Sequence, residues 1–369
     1  MDDLQESLIL STALDDFGPP FMAHVPVSKV AEVVPLTRSD NIGAVILADR
    51  YDSACKAVRK IRRGNPAASI LVDNGLYKGN GREIGADCID EAWIRMQFGK
   101  MALPWAMTNS GYIPAHDRKR LHEVLAWGKR SERTIVALPL ALPWLTADLQ
   151  CLIDEIAAAQ CPVGIILEAE GDPLSTRAAV SGLIKLLKSV PRILLLRCDT
   201  ATLGALAYGA AAVSIGVNST ARHLYPISEP RTNKTGKHFG PRTSVFVPAL
   251  MSYKLLNKTV RFGIRQNPDS DIWKCTCSQC LGASIEWIFS SPKPDVAAFQ
   301  HSLAAQAAIA KELLALPEVL RPGAWKDRCA FAQPRYGNVR NSEGNPMQPP
   351  GSLKAWVSST PQMPQENIQ

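Results

Sequence analysis

Short apolar runs rich in β-branched residues alternate with amphipathic helical patterns between residues 20 and 217. The apolar runs cover residues 20–27, 44–49, 69–73, 101–107, 134–140, 163–169, 192–199 and 211–217. Helical spacing of apolar positions lies between most of them, as in residues 118–130, 146–159 and 175–190. This alternation indicates parallel βα units. Because no glycine-rich dinucleotide loop follows the first run, the pattern favours a (β/α)8 TIM barrel over a doubly wound sheet, which stays possible.

The pattern changes after the eighth apolar run. Residues 218–274 are rich in Pro, Asn, Lys and Arg, and residues 297–316 form a strong Ala/Leu helical pattern. From about Trp325 the chain is rich in Pro, Ser, Asn and Gln and shows no periodicity, which is typical of loosely ordered segments. We therefore predict a barrel over residues 19–250, a subdomain over residues 251–322 and a loosely ordered tail over residues 323–369.

The composition is that of a soluble globular protein. Hydrophobic residues make up 46% of the 369 positions, and the formal net charge is +7. No apolar run has membrane-spanning length, and the start MDDLQESLILSTALDD is acidic where a secretory signal is basic. We therefore expect a cytoplasmic protein without a membrane partner. The basic surplus suits an anionic partner such as nucleic acid.

Three of the nine cysteines form the motif C-x-C-x-x-C at Cys275, Cys277 and Cys280. In a reducing compartment such a cluster binds metal more readily than it forms disulfides. His301 lies in the downstream helical pattern and supplies a fourth ligand, which completes the donor set of a structural zinc site. We predict a closed Zn2+ site that organises structure and performs no chemistry. Unlinked thiols and an iron–sulfur cluster are the alternatives.

A βα barrel followed by C-x-C-x-x-C and a helical histidine resembles the tRNA-guanine transglycosylase family. The resemblance covers about residues 19–315 in the order of elements. It is detailed in the zinc stretch, in ILVDNGLYKGNG at 70–81 and in the strand–helix–strand at 194–217. It implies exchange of guanine for a 7-deazaguanine base in tRNA or, in some branches, in DNA. It also implies pairing through the zinc region, as a homodimer or with a partner subunit.

The stretch after the third apolar run resembles the family motif D-S-G-G-[FY]-Q. Asp73 ends this run, at the face where barrels keep their active sites, and could exchange a proton with a base nitrogen. Gly75 lets backbone approach a flat ligand, and Tyr77 offers an aromatic face for an extruded base. We predict that Asp73 is catalytic and that Asn74, Gly75 and Tyr77 bind the base. An ordinary Asp-Asn-Gly turn is the alternative.

The family's nucleophile is an Asp at the end of the last barrel strand, and Ser214 stands at that position. A serine without an adjacent base is a poor nucleophile toward an anomeric carbon. Asp199, at the end of the seventh run, is the carboxylate that we nominate as nucleophile, although Asp-Thr-Ala-Thr is also a typical helix N-cap. No Ser-His-Asp order is evident. The family's base-reading loop is replaced by EAEGDP, so the incoming base is not defined.

A basic tract, ARHLYPISEPRTNKTGKHFGPR, follows the eighth run at residues 221–242. Mixed Lys and Arg residues with interspersed aromatics suit a polynucleotide backbone. We predict nucleic-acid contacts for Arg222, Lys234, Lys237 and Arg242. A solvated basic loop is the alternative.

The sequence therefore predicts a pentosyltransferase that replaces guanine by a 7-deazaguanine base in DNA or tRNA. The alternative is a non-catalytic, zinc-containing relative that binds nucleic acid or a partner subunit. Ser214 favours this alternative, whereas Asp73 and Tyr77 oppose it. An unrelated zinc-bearing barrel enzyme is a third possibility.

Overall fold

The computed structural model describes residues 13–216, 218–227, 243–340 and 344–359. Its central element is a ring of eight parallel strands: β1 (Phe21–Pro26), β2 (Gly43–Leu47), β3 (Ile70–Asp73), β4 (Ala106–Met107), β5 (Thr134–Ala141), β6 (Val163–Glu168), β7 (Ile193–Cys198) and β8 (Ala212–Gly216). The hydrogen-bonded order is β3-β2-β1-β8-β7-β6-β5-β4. The predicted (β/α)8 TIM barrel is confirmed, and each strand lies within its predicted apolar run, except that β2 begins one residue earlier and β5 ends one residue later.

Helices connect the strands and cover the outside of the barrel. They are α1 (Val30–Ser39), α2 (Tyr51–Gly64), α3 (Glu91–Gly99), α4 (Arg118–Leu125), α5 (Leu149–Ala159), α6 (Arg177–Ser189) and α7 (Leu203–Ala207). Side chains of Asp90, Asp117 and Thr176 cap three of them by accepting backbone N–H groups. Among the described residues, no helix combines the length and apolar character needed to cross a membrane.

Strand β4 is the weak member of the barrel, as Pro104 and Trp105 in its run suggest. It has two residues, and no strand ladder joins it to β3. The side chain of Gln97 compensates on the α3 side, because its amide donates to the carbonyl of Met107 at 2.8 Å and accepts from the Met107 N–H at 2.9 Å. Buried backbone groups of β4 are thus satisfied by a side chain where the sheet does not supply a partner.

A hairpin and a long helix follow the barrel. The hairpin joins β9 (Ser244–Val247) and β10 (Ser252–Leu255), so it crosses the domain boundary that we predicted between residues 250 and 251. After the short helix α8 (Arg261–Gln266) comes α9 (Pro294–Ala315), which packs on β9, α7 and α1. The subdomain is therefore built directly onto the barrel wall.

The C-terminal tail is ordered at residues 323–340 and 344–359, which corrects the prediction of a loosely ordered tail for these residues. It forms α10 (Arg321–Ala332) and α11 (Gly351–Ser359), which pack on α7 and α6. Trp325 and Trp356 are buried and meet edge to face at 6.0 Å between ring centroids. Gly204 in α7 makes room for them, since a Cβ there would lie 2.5 Å from both rings. Two tryptophans thus form the hydrophobic core of the tail, although the tail sequence has no apolar periodicity that would predict one.

Candidate functional site

The predicted metal ligands come together beside β9. Cys275, Cys277, Cys280 and His301 are buried, and one donor atom from each lies within 4.8 Å of the others. Nδ1 of His301 is 3.1 Å from the Cys280 sulfur and 3.6 Å from the Cys277 sulfur. The prediction of a four-residue group able to hold a metal ion is confirmed.

The surroundings of this group fit a metal ion. Nε2 of His301 lies 2.9 Å from the carbonyl oxygen of Phe246, which can only accept, so the ring proton is on Nε2 and the lone pair of Nδ1 faces the sulfurs. The indole N–H of Trp287 donates to the Cys280 sulfur at 3.2 Å, and the Cys277 N–H donates to the Cys275 sulfur at 3.4 Å. Such donors stabilise thiolate charge. With four protein ligands, the site leaves no position for a substrate.

A second polar group lies inside the barrel and joins β8, β1 and β3. Nδ1 of His24 is 3.3 Å from the hydroxyl oxygen of Ser214, and its Nε2 is 3.1 Å from Oδ2 of Asp73. The N–H of Arg197 donates to the same Ser214 oxygen at 2.8 Å. The structure therefore brings a Ser-His-Asp set together, although none is evident in the sequence. His24 is the member that sequence reasoning missed, because it lies in the apolar run of β1.

Asp73 is the charged end of this set. Burial would raise its pKa, but the interaction with His24 at 3.1 Å, the hydrogen bond from Tyr77 and the charge of Arg197 outweigh burial and hold the pKa of Asp73 below its usual value. Oδ1 also accepts the Gly75 N–H at 2.8 Å, and Gly75 has a φ of +67°. The side chain of Asn74 likewise accepts the Leu76 N–H at 3.3 Å. The turn that we considered as an alternative is therefore present together with the charged network.

The aromatic ring of Tyr77 is covered. The residue is 1% exposed, its hydroxyl donates to Asp73, and the Arg197 guanidinium lies 5.6 Å from its ring centroid. The expected stacking role of Tyr77 is therefore corrected: in this structure, the ring has no face open to an extruded base. Its hydroxyl instead holds the Asp73 carboxylate.

The Ser214–His24–Asp73 set has the donors and acceptors of a proton relay. Burial lowers the pKa of His24, so its ring is neutral, with the proton on Nε2 facing Asp73 and Nδ1 able to accept from Ser214. However, all three side chains are buried. As placed, the set can hold barrel strands together but does not reach a substrate in solvent.

Asp199, the nominated nucleophile, lies at the end of β7. Its Oδ1 accepts the Thr200 N–H at 2.6 Å, so the residue caps the following helical turn, as the alternative interpretation expected. Its side chain is 30% exposed, and Oδ2 is 4.0 Å from Nη1 of Arg222. Asp172, in the loop after β6, is a second carboxylate here: burial and the charge of Asp199 raise its pKa to about 6.

Arg222 has an internal position, which corrects its expected contact with nucleic acid. Its guanidinium donates to the Ser244 hydroxyl at 3.0 Å and lies 3.4 Å from the Tyr253 ring centroid. Its side chain is buried, so it connects the segment after β8 to the hairpin. The other predicted nucleic-acid contacts, Lys234, Lys237 and Arg242, lie outside the described residues.

No model of a known protein family and no curated protein matches the chain. Among solved structures, the chain is similar to the 3-dehydroquinate dehydratase of Aquifex aeolicus, with 9% identity and a TM-score of 0.38 over 56% of this chain and 94% of that one. It is also similar to the 3-hexulose-6-phosphate synthase of Salmonella typhimurium, with 14% identity and a TM-score of 0.32 over 54% and 89%. A third is the carboxyl transferase domain of Rhizobium etli pyruvate carboxylase, with 10% identity and a TM-score of 0.36 over 94% and 60%. Similarities this low say nothing about the activity of the chain.

Proposed function

We propose that the chain is a non-catalytic, nucleic-acid-binding relative of the transglycosylases. The observation that supports this proposal most strongly is at the barrel centre, where His24 lies between Asp73 and Ser214, at 3.1 and 3.3 Å. Attack on a nucleoside C1′ with a covalent intermediate needs an anionic oxygen on one face of the sugar and a proton donor for the departing base. Asp73 is the one carboxylate in this set, and both of its oxygens are engaged by protein groups.

We propose that the buried group of three cysteines and one histidine holds Zn2+, because soft thiolates with one imidazole suit this ion. Bound zinc would supply structural cross-linking between the cysteine loop and α9. The family resemblance implies pairing through this region, with a second copy or a partner subunit. Leu281, directly after the third cysteine, is 83% exposed, which suits such a contact.

Nucleic acid is the partner that we propose, on the basis of charge. The chain carries a net charge of +7, and a basic tract at 221–242 follows β8 in the sequence. Neutralising phosphates releases counterions, so basic residues that touch the backbone make binding salt-dependent. The target is DNA or tRNA, as the resemblance implies.

Replacing Lys234, Lys237 and Arg242 by Gln should weaken polynucleotide binding. We expect the slope of log affinity against log salt to fall by about one unit for each lost phosphate contact. Fluorescence anisotropy with labelled tRNA and DNA at several salt concentrations measures both quantities. The matched control replaces three exposed basic residues of α2, Lys56, Arg59 and Lys60, by Gln. If the salt-dependence slope is the same in both triple variants, the basic tract at 221–242 does not contact phosphates and is a solvated loop.

A second candidate function is the pentosyltransferase that exchanges guanine for a 7-deazaguanine base. One observation favours it: the partly exposed Asp199 lies close enough to Asp172 for its charge to help raise the pKa of Asp172. A carboxylate beside a carboxyl group of raised pKa is a common acid–base arrangement. In that case Asp199 would be the nucleophile and Asp172 the proton donor.

A further inference from the structure

A cavity of about 500 Å3 lies at the barrel mouth and is lined in part by Arg197, whose backbone N–H donates to Ser214. Its wall is formed by the turn after β3, the end of β7 and the segment after β8, which contribute Lys78, Arg197 and Tyr225. These are the carboxyl ends of barrel strands, where TIM barrels bind their ligands. The cavity is large enough for a ligand of nucleotide size.

The backbone of Arg197 is strained. It has a φ of +54°, and the pairing register of β7 with β8 shifts between Leu195 and Cys198. A left-handed backbone at a non-glycine residue beside a bulge is strained, and such strain concentrates at functional sites. The bulge allows Arg197 to place its backbone N–H on Ser214 while its side chain reaches the mouth.

The Arg197 guanidinium is buried, at 5% exposure, without a carboxylate partner. Nη2 donates to the carbonyl of Thr220 at 2.8 Å, and Nη1 is 3.4 Å from the Tyr77 hydroxyl. Nε has no hydrogen-bond partner, and no carboxylate oxygen of the described residues lies within 4.0 Å. A buried cation without a carboxylate in direct contact can gain from a ligand that supplies an anionic oxygen.

Lys78 adds a second positive charge at the rim. It also has no carboxylate within 4.0 Å among the described residues. Partial burial is the main cause that lowers the pKa of Lys78, and the charge of Arg197 lowers it further. The charges of Asp73 and Asp49 raise this pKa but do not outweigh burial. Asp73, whose charge acts on both cations, has its oxygens committed to Gly75 and Tyr77.

The neighbouring arginines differ in this respect. Arg82 pairs with Glu168, which also accepts from Tyr112, and the nearest carboxylate to Arg222 is Asp199 at 4.0 Å. Among the described residues around this cavity, Arg197 and Lys78 are therefore the two cations without a carboxylate partner.

We propose that Arg197 and Lys78 form a binding site for the phosphoryl group of a nucleotide. The planar fork of Arg197 suits two phosphate oxygens, and the Lys78 ammonium suits a third. The Tyr225 ring, 41% exposed, gives the cavity an aromatic wall, which favours a nucleotide over a bare phosphate ion. The inference rests on the proposed function only for its source of phosphate, a nucleotide unit of DNA or tRNA.

Isothermal titration calorimetry of the zinc-loaded full chain with guanosine 5′-monophosphate, guanosine and inorganic phosphate tests this site. We expect the monophosphate to bind, inorganic phosphate to bind more weakly, and guanosine not to bind. Lys78→Gln and Arg197→Lys should each weaken monophosphate binding about tenfold or more, because the first removes a positive charge and the second replaces a two-point guanidinium contact by a single ammonium. Lys60→Gln, a change of an exposed lysine on α2, should leave binding unchanged.

Zinc content and circular dichroism of each variant exclude misfolding as the cause. If Arg197→Lys fails to fold, Lys78→Gln decides, since Lys78 is exposed in a turn. The proposed phosphate site is refuted if neither the monophosphate nor inorganic phosphate binds. It is also refuted if wild type and Lys78→Gln bind the monophosphate with equal affinity.

A fluorescent DNA or tRNA oligonucleotide separates the site from the proposed function. If the oligonucleotide binds but Lys78→Gln leaves its affinity unchanged and the monophosphate does not bind, the site fails and the proposed function stands. If the monophosphate binds in a Lys78-dependent manner but no polynucleotide binds, the site stands and the proposed function fails.

Discussion

Replacing His301 by Ala will remove the metal and destabilise the chain. Purified wild-type protein should contain about one zinc ion per chain, held by His301 and the three cysteines. Binding of a structural ion contributes directly to folding free energy, and an ion present at a thousand times its Kd supplies on the order of 4 kcal/mol. Cys277→Ser should have the same effect. Elemental analysis and urea denaturation measure the metal content and the free energy of unfolding.

Two variants outside the group serve as matched controls. His116 is 69% exposed and Cys88 is partly exposed, so His116→Ala and Cys88→Ser should keep the zinc and nearly all of the stability. Wild-type protein without zinc, or with iron and a visible chromophore, would refute the zinc assignment.

Replacing Asp73 by Ala should lower the free energy of unfolding by about 3–5 kcal/mol, the range for breaking a buried charge pair. The carboxylate accepts from Gly75 and Tyr77 and faces His24 Nε2 at 3.1 Å. Its loss leaves the Gly75 N–H and the Tyr77 hydroxyl without their buried acceptor. Chemical denaturation of wild type and variant measures the difference.

Asp49→Ala is the control, because Asp49 is an exposed carboxylate two residues after β2. We expect a change within about 0.5 kcal/mol for this surface substitution. If Asp73→Ala is as stable as wild type, or more stable, the carboxylate is not a structural anchor. Unchanged or increased stability is typical of residues kept for activity, and it would favour the catalytic role that the sequence predicts.

Much of the fold follows from local patterns, because buried parallel strands must be apolar on both faces. Helix α1 is an exception: it contains Pro35 and several β-branched residues, which disfavour helix, and it forms because Val33 and Leu36 pack in the core. The metal group was predictable for a different reason. Its donors are chemically distinctive, and three of them lie within six positions.

The barrel centre could not be assembled from the sequence, because its members come from strands far apart in the chain. A signal was nevertheless present: His24 in β1 and Arg197 in β7 are the single polar residues of otherwise apolar strands, and a polar residue buried on a barrel strand needs a partner. Which partner it finds depends on strand order. The positive φ of Arg197 also depends on tertiary structure, since nothing in RILLLRCD indicates a bulge.

The most direct test of the non-catalytic assignment is base exchange by the zinc-loaded wild-type chain. Labelled guanine is incubated with the protein and tRNA or duplex DNA, polynucleotide binding is measured in the same samples, and an active transglycosylase serves as positive control for the assay. We expect binding without incorporation of label, because Asp73 is enclosed by His24, Tyr77 and Gly75. Incorporation by wild type that is abolished in Asp199→Asn would contradict it and would identify Asp199 as the nucleophile.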